Sequence, residues 1–272
     1  MLSVRDILRW LDARAPFRYA MSWDRCGLQV GDPDAVVQGI MVALDPSAGT
    51  LDEALESGCR CMVTHHPLIF HPLTAVRMDE FPGNLVATAL RKEINIIAVH
   101  TNLDAAREGT NDQLAGLLTL EIEGPIESDP SWEGEERYAG MGRVGLLPRP
   151  MRLEDLAGQL ADALGGIKVR VVGDPDSKVL RVALCTGSGG SLIETVITRA
   201  CDAYITGDVK FHEAQRALAA GLSLIDVGHF ASERLVVQPL ADYLRSEAAK
   251  EGFSSKVLVA TGEKDPFRVY GK

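Results

Sequence analysis

Apolar and polar positions along this 272-residue chain follow two rhythms in alternation. Short β-branched runs that read as buried strands are separated by longer stretches with helical spacing, which is the grammar of βαβ units. In the first half, a strand over 39–44 (GIMVAL) leads through a polar turn into a helix over 50–57. A strand over 61–64 (CMVT), a helix near 84–92 and a strand over 94–99 (INIIAV) follow. The second half repeats the order, with strands over 179–184 (VLRVAL), 203–206 (AYIT) and 222–227 (LSLIDV) and helices over 191–199 and 213–220. Side by side, VALDPSAGTLDEALESG resembles VALCTGSGGSLIETVIT, MVTHH resembles YITGD, and INIIAVHT resembles LSLIDVGH. Equivalent strands lie roughly 130–140 residues apart, so the self-similarity predicts an α/β fold of two related lobes facing a shared cleft.

The flanking segments set the expected boundaries. Residues 1–17 interleave Arg5, Asp6, Arg9, Asp12 and Arg14 with apolar positions. That pattern breaks the apolar core of about 7–15 residues that a secretory signal needs. It predicts an amphipathic helix with Ile7, Leu8 and Leu11 on the buried stripe and Ser3 as N-cap. Between the halves, 121–150 is rich in glycine, proline and acidic residues and contains a strand over 142–147. The expected organisation is a first lobe over 1–125 with part of the C-terminus, a crossover over 126–150, and a second lobe over 151–272. Together they form one compact unit. A last strand over 256–260 precedes the charged turn EKDPF.

Composition narrows the class. Hydrophobic residues make up 46% and charged residues 24%, which excludes disorder and fibrous repeats. No apolar run approaches the roughly 18 residues of a membrane span. The net charge of −10 weighs against nucleic acid as a partner. The five cysteines match no zinc ribbon and read as small core residues in a reducing compartment, so a cytoplasmic location is expected.

The chemistry sits at the strand ends. Of six histidines, His65, His66, His100, His212 and His229 fall at, just beyond, or in the loop after the C-terminal end of a predicted strand, the edge where open α/β sheets bind ligands. His65-His66-Pro67 follows one strand, His100-Thr-Asn-Leu-Asp104 another, and His229-Phe-Ala-Ser-Glu233 a third. Taken singly, these are a loop start, a turn with a cap, and a helix start. Three at equivalent topological positions favour a metal site. The pooled imidazole and carboxylate donors suit Zn, Fe, Mn or Ni, and they exceed the three ligands of a single catalytic zinc, so two ions fit better. A fourth elbow carries Asp208, Lys210 and His212. Its functional reading is Lys210 drawing an anion and His212 moving a proton; its plain reading is helix capping and surface ion pairs. The turn 186–190 (TGSGG) either cradles an anion through backbone N–H groups or permits tight packing. His71 reads as a solvated loop histidine.

These motifs have a family likeness. WDRCGLQVGD, VTHHPLIF, AVHTNLDAA, YITGDVKFHEA and DVGHFASE resemble the NIF3-like (DUF34) family in order and spacing, over nearly the whole chain. The resemblance implies a two-lobed α/β fold, a dinuclear metal centre in the cleft and a ring-shaped homohexamer. Carried over residue by residue, it implies His65, His66, Asp104, His229 and Glu233 as metal ligands. His100 is placed beside them, as a group that supports the ligands or touches substrate. Many members read W-D-N where this chain has Trp23-Asp24-Arg25, and the large inserted domain of some members is missing, so this is the short form. Members are often labelled GTP cyclohydrolase 1 type 2 homologs. The expected function is a metal-dependent hydrolase with two divalent ions per chain, acting on a small, phosphate-containing substrate. In it, His100, His212 and Lys210 serve as catalytic groups. The alternative is a non-catalytic metal-binding chaperone, sensor or interaction protein.

Overall fold

The computed structural model describes residues 1–129 and 134–270. Its strands in chain order are β1 (Gly27–Val30), β2 (Gly39–Ala43), β3 (Cys61–Thr64), β4 (Asn95–Ala98), β5 (Glu121–Gly124) and β6 (Arg143–Arg152). They continue with β7 (Arg170–Val172), β8 (Lys178–Ser188), β9 (Ala203–Gly207), β10 (Ser223–Asp226) and β11 (Lys256–Val259). These form two sheets, ordered β1-β4-β3-β2-β11 and β5-β6-β8-β9-β10-β7. The chain divides into two units: Met1–Leu103 with Val236–Lys264, and Asp104–Leu235 with Asp265–Lys272. No helix among the described residues is long and apolar enough to cross a membrane.

The first unit is built on parallel pairing of β2 with β3, β3 with β4 and β11 with β2, while β1 runs antiparallel to β4. Every residue of β2, β3 and β4 is buried. Strands covered on both faces read as continuous apolar runs, and that is why these were visible in the sequence. Their core includes Met41, Leu51, Met62, Leu85 and Ile96. The first helix, Val4–Arg14, starts where expected. The Ser3 hydroxyl accepts from the Asp6 N–H, the Asp6 carboxylate accepts from the Ser3 N–H, and Val4, Ile7, Trp10 and Leu11 are buried.

The second unit repeats the parallel order β8-β9-β10, again with an antiparallel strand, β7, beside the third. The duplication thus extends to that edge strand. It ends at the other edge, where β6 lies antiparallel to β8 and β5 antiparallel to β6, whereas β11 is parallel to β2.

The division between units falls elsewhere than the 120–150 expected from composition. Residues 104–125, assigned to the first lobe by sequence, belong to the second unit, because Leu114, Ala115 and Leu118 of helix Thr110–Leu117 are buried in its core with Leu156, Val182 and Ile205. The expected crossover supplies β6, an inner strand anchored by the fully buried Arg143. Its guanidinium pairs with Asp112 and donates to the carbonyls of Gly140, Gly142 and Ala106. Residues 130–133 of that segment lie outside the described residues. After residue 235 the chain returns to the first unit as helix Val237–Lys250 and β11.

Candidate metal centre

In the first unit the ends of three parallel strands converge chemically. Backbone pairing continues past β3, with His65 N–H donating to Ala43 and His66 N–H to Leu44. This fixes both histidines at the end of the sheet, and Val99 N–H bonding to Thr64 does the same for the residue before His100. The ring centroids of His65, His66 and His100 are 5.1, 5.2 and 5.7 Å apart. One ring nitrogen of each lies within 4.8 Å of the other two.

Each imidazole is already oriented through Nδ1. His65 Nδ1 lies 2.9 Å from the Val99 carbonyl, His66 Nδ1 is 2.7 Å from the Asp45 carboxylate, and His100 Nδ1 is 3.0 Å from both oxygens of Asp24. A carbonyl or carboxylate only accepts, so each Nδ1 donates, and Nε2 is the nitrogen that could take an ion. This is the arrangement of metal-ligating histidines, whose second nitrogen donates to a fixed acceptor. Asp24 is the most heavily engaged of these acceptors. It also receives the Thr101 N–H at 3.0 Å and the Thr101 hydroxyl at 2.5 Å. Burial pushes its carboxyl up, but the hydrogen bonds from His100 and Thr101 outweigh that and hold it well below the usual carboxylate range. Beside it, burial and then the Asp24 charge push the Cys26 thiol up to about 12.

The second unit presents carboxylates. His229 Nδ1 is held by Asp208 at 2.8 Å, and His229 Nε2 lies 2.9 Å from the buried Glu233 carboxylate. Two donors sharing one ion at bonds of roughly 2.0–2.2 Å stand about that far apart. Gly187, at φ +67°, leaves room for this carboxylate, since a Cβ there would sit 2.0 Å from Glu233 Oε1. Asp104 is buried and receives the Thr110 hydroxyl at 2.5 Å. Burial raises the Cys185 thiol, and the charges of Asp104 and Glu233 raise it further. The donor set in both units, imidazole Nε2 and carboxylate with no activated thiolate, fits a borderline divalent ion.

The other candidates sit differently. Lys210 precedes helix Phe211–Ala219, where its backbone N–H donates to Glu213 at 2.8 Å and its side chain is 83% exposed. His212 is exposed, with Nδ1 3.2 Å from Gln215 Oε1 and its ring against Phe211. These are the capping and surface contacts of the plain reading. The turn 186–190 is likewise a packing feature: a Cβ on Gly189 would meet the Tyr204 hydroxyl at 2.2 Å, and one on Gly190 the Glu213 carboxylate at 2.4 Å. A carboxylate beside the turn opposes an anion. His71 is exposed, with its ring 4.7 Å from that of Phe70. The sequence offered no signal for Asp45 or Asp208 as imidazole partners, and it left the Trp23-Asp24 motif without a role.

Comparison with known proteins identifies the chain's relatives. A relative from Streptomyces coelicolor, named GTP cyclohydrolase 1 type 2 homolog, is 36% identical over 99% of this chain and 95% of its own length. A Bacillus subtilis protein of the same name is 26% identical, and its alignment runs to 364 positions against the 272 residues here, as a longer form requires. The crystal structure of a Staphylococcus aureus hypothetical protein superposes with a TM-score of 0.90 at 29% identity, covering 98% of this chain and 99% of that one. The family model of Duf34/NIF3 (NGG1p interacting factor 3) matches residues 2–266, and the chain belongs to that family.

Proposed function

We propose that this chain binds two divalent metal ions and acts as a metal-dependent hydrolase on a small, phosphate-containing substrate. The ligands in this reading are His65, His66, Asp104, His229 and Glu233. His100 completes the three-imidazole cluster, a more direct role than the supporting one the resemblance implies. The observation that carries this reading is the convergence of three imidazoles whose Nδ1 atoms are all tied to fixed acceptors. Structural histidines do not need that shared arrangement, and ligands do.

Bound divalent ions supply Lewis acidity, lowering the pKa of coordinated water and polarising a phosphoryl or carbonyl oxygen. The protein's own contribution is preorganisation. Asp24 and Asp45 fix the tautomers of His100 and His66, and Asp208 fixes that of His229. One observation favours a second reading, a metal-binding chaperone, sensor or interaction protein. The expected proton and anion groups, His212 and Lys210, are occupied by surface contacts.

Elemental analysis of the purified chain beside a His65→Ala variant tests the proposal. About two ions per chain, lost or halved in the variant, is the expected result. An empty protein after reconstitution sinks the metal reading. Full occupancy without turnover of any phosphoester or amide sinks the hydrolase and leaves the binding protein. Self-assembly into a homohexamer, implied by the family, belongs to the same proposal, and a monomeric native mass would remove it.

A further inference from the structure

Two aromatic rings form an open shelf directly beside the histidine cluster. Trp23 and Phe70 have centroids 5.7 Å apart, and each stands against the His100 ring, at 6.2 and 6.4 Å. Despite these contacts Trp23 remains 51% exposed and Phe70 43%. Single exposed aromatics need no explanation, but a contiguous group at a chemical site marks a binding surface. The shelf is also built rather than incidental. Asp24 ties the Trp23 loop to His100 and Thr101. Gln29 of β1 ties the same loop to the Phe70 segment, accepting the Ile69 N–H at 2.7 Å and donating to the Arg25 carbonyl at 2.6 Å. Both aromatic side chains are therefore carried on hydrogen-bonded segments while a large part of each stays exposed.

We infer that Trp23 and Phe70 form a subsite for a planar heteroaromatic ring, so that the ligand of the histidine cluster carries such a ring next to its metal-directed group. The inference rests on the metal reading above only for that second anchoring point. Trp23 and Phe70 are inclined at 55°, and stacking needs roughly 3.5 Å on each side of an inserted ring. A ring therefore does not slip between them; it lies on the open indole face with its edge toward Phe70. Stacking of this kind accepts any flat base, since each presents a π-face. The shelf supplies affinity for a ring without choosing among rings.

The test is calorimetric titration of the full-length protein with adenosine 5′-monophosphate and, as the ring-free probe, ribose 5-phosphate. Each is run on metal-reconstituted and chelator-stripped protein with metal content measured. Wild type should bind the nucleotide about tenfold or more tightly than the sugar phosphate, the range that base–aromatic stacking provides. Trp23→Ala should erase the preference while leaving metal content and circular dichroism unchanged, and Trp23→Phe should restore most of it. Equal binding of the two probes by wild type, no binding of either included, overturns the inference. So does a Trp23→Ala variant that weakens both probes alike. A preference retained by protein that takes up no metal sinks the metal reading and leaves the ring subsite standing. Equal binding at full metal content does the reverse.

Discussion

The two units carry the same three-strand parallel motif with an antiparallel neighbour, yet their elbows are furnished in opposite ways. After β3 stand His65 and His66; in the matching place stand Gly207, the last residue of β9, and Asp208. The first unit gathers three imidazoles and fixes them with acceptors from three places: Asp24, Asp45 and the Val99 carbonyl. The second offers one imidazole with carboxylates, and Asp208, at the double-histidine position, serves to hold His229. A duplicated scaffold therefore does not imply duplicated chemistry. The elbow position persists, while what stands there changes from a pair of imidazoles to a carboxylate that holds an imidazole.

The matched glycines break the comparison most sharply. In the internal alignment Gly49 and Gly189 are equivalent, but a Cβ on Gly49 meets nothing nearer than the Ser47 hydroxyl at 3.8 Å. A Cβ on Gly189 would lie 2.2 Å from the buried Tyr204 hydroxyl and 2.4 Å from Thr206 Oγ1, both of which bond to the Gly189 backbone. Gly189→Ala should cost about 2–4 kcal/mol through overpacking and strained hydrogen bonds. Gly49→Ala, inside helix Ala48–Glu56, should be neutral or stabilise by about 0.5–1 kcal/mol. Urea denaturation of the two variants checks this, and equal losses would mean the turns are packed alike.

The imidazole-holding carboxylates give the next largest contrast. Asp24 has a fully buried side chain with several donors aimed at it, whereas the Asp208 side chain is 47% exposed. Asp24→Asn should cost about 2–4 kcal/mol, and Asp208→Asn about 0–1 kcal/mol after solvent screening. The sign of the pH effect follows from the depressed Asp24 value. Its contribution is complete above the ordinary carboxylate range and fades as pH falls toward the folded-state value. Stability measured from pH 7 to pH 3 should therefore fall less steeply in Asp24→Asn than in wild type. An unchanged slope would assign the acid sensitivity to other carboxylates.

What the sequence disclosed divides along the same physical line. β3 was legible to the residue, and β2, β4, β9 and β10 to within one, because buried parallel strands are unbroken apolar runs. β1, β5 and β7 were not, being short edge strands, with β5 almost fully exposed and acidic. Helix Leu153–Ala163 has no side-chain N-cap to announce it, and Val237–Lys250 carries Pro239 in its first turn. The histidines showed themselves by following strands. Asp24 and Asp45 did not, since their pairing with His100 and His66 joins loops 76 and 21 residues apart, which no local pattern records.

The smallest expected effect decides the reading of the fourth elbow. Lys210 and His212 follow Asp208 where the chain turns into helix Phe211–Ala219, and sequence position alone made them catalytic candidates. Their actual partners are Glu213 and Gln215, one helical turn along. The helix-capping bond at this end uses the Lys210 backbone N–H, which survives any side-chain truncation. A Lys210→Ala/His212→Ala double variant should therefore keep wild-type metal content and thermal midpoint, because exposed side chains outside special features contribute little. Once a turnover assay exists, its kcat should also match wild type. A kcat reduced tenfold or more at unchanged metal content would return the two residues to the chemistry. It would also show that helix Phe211–Ala219 adopts, with substrate, a position other than the one seen here.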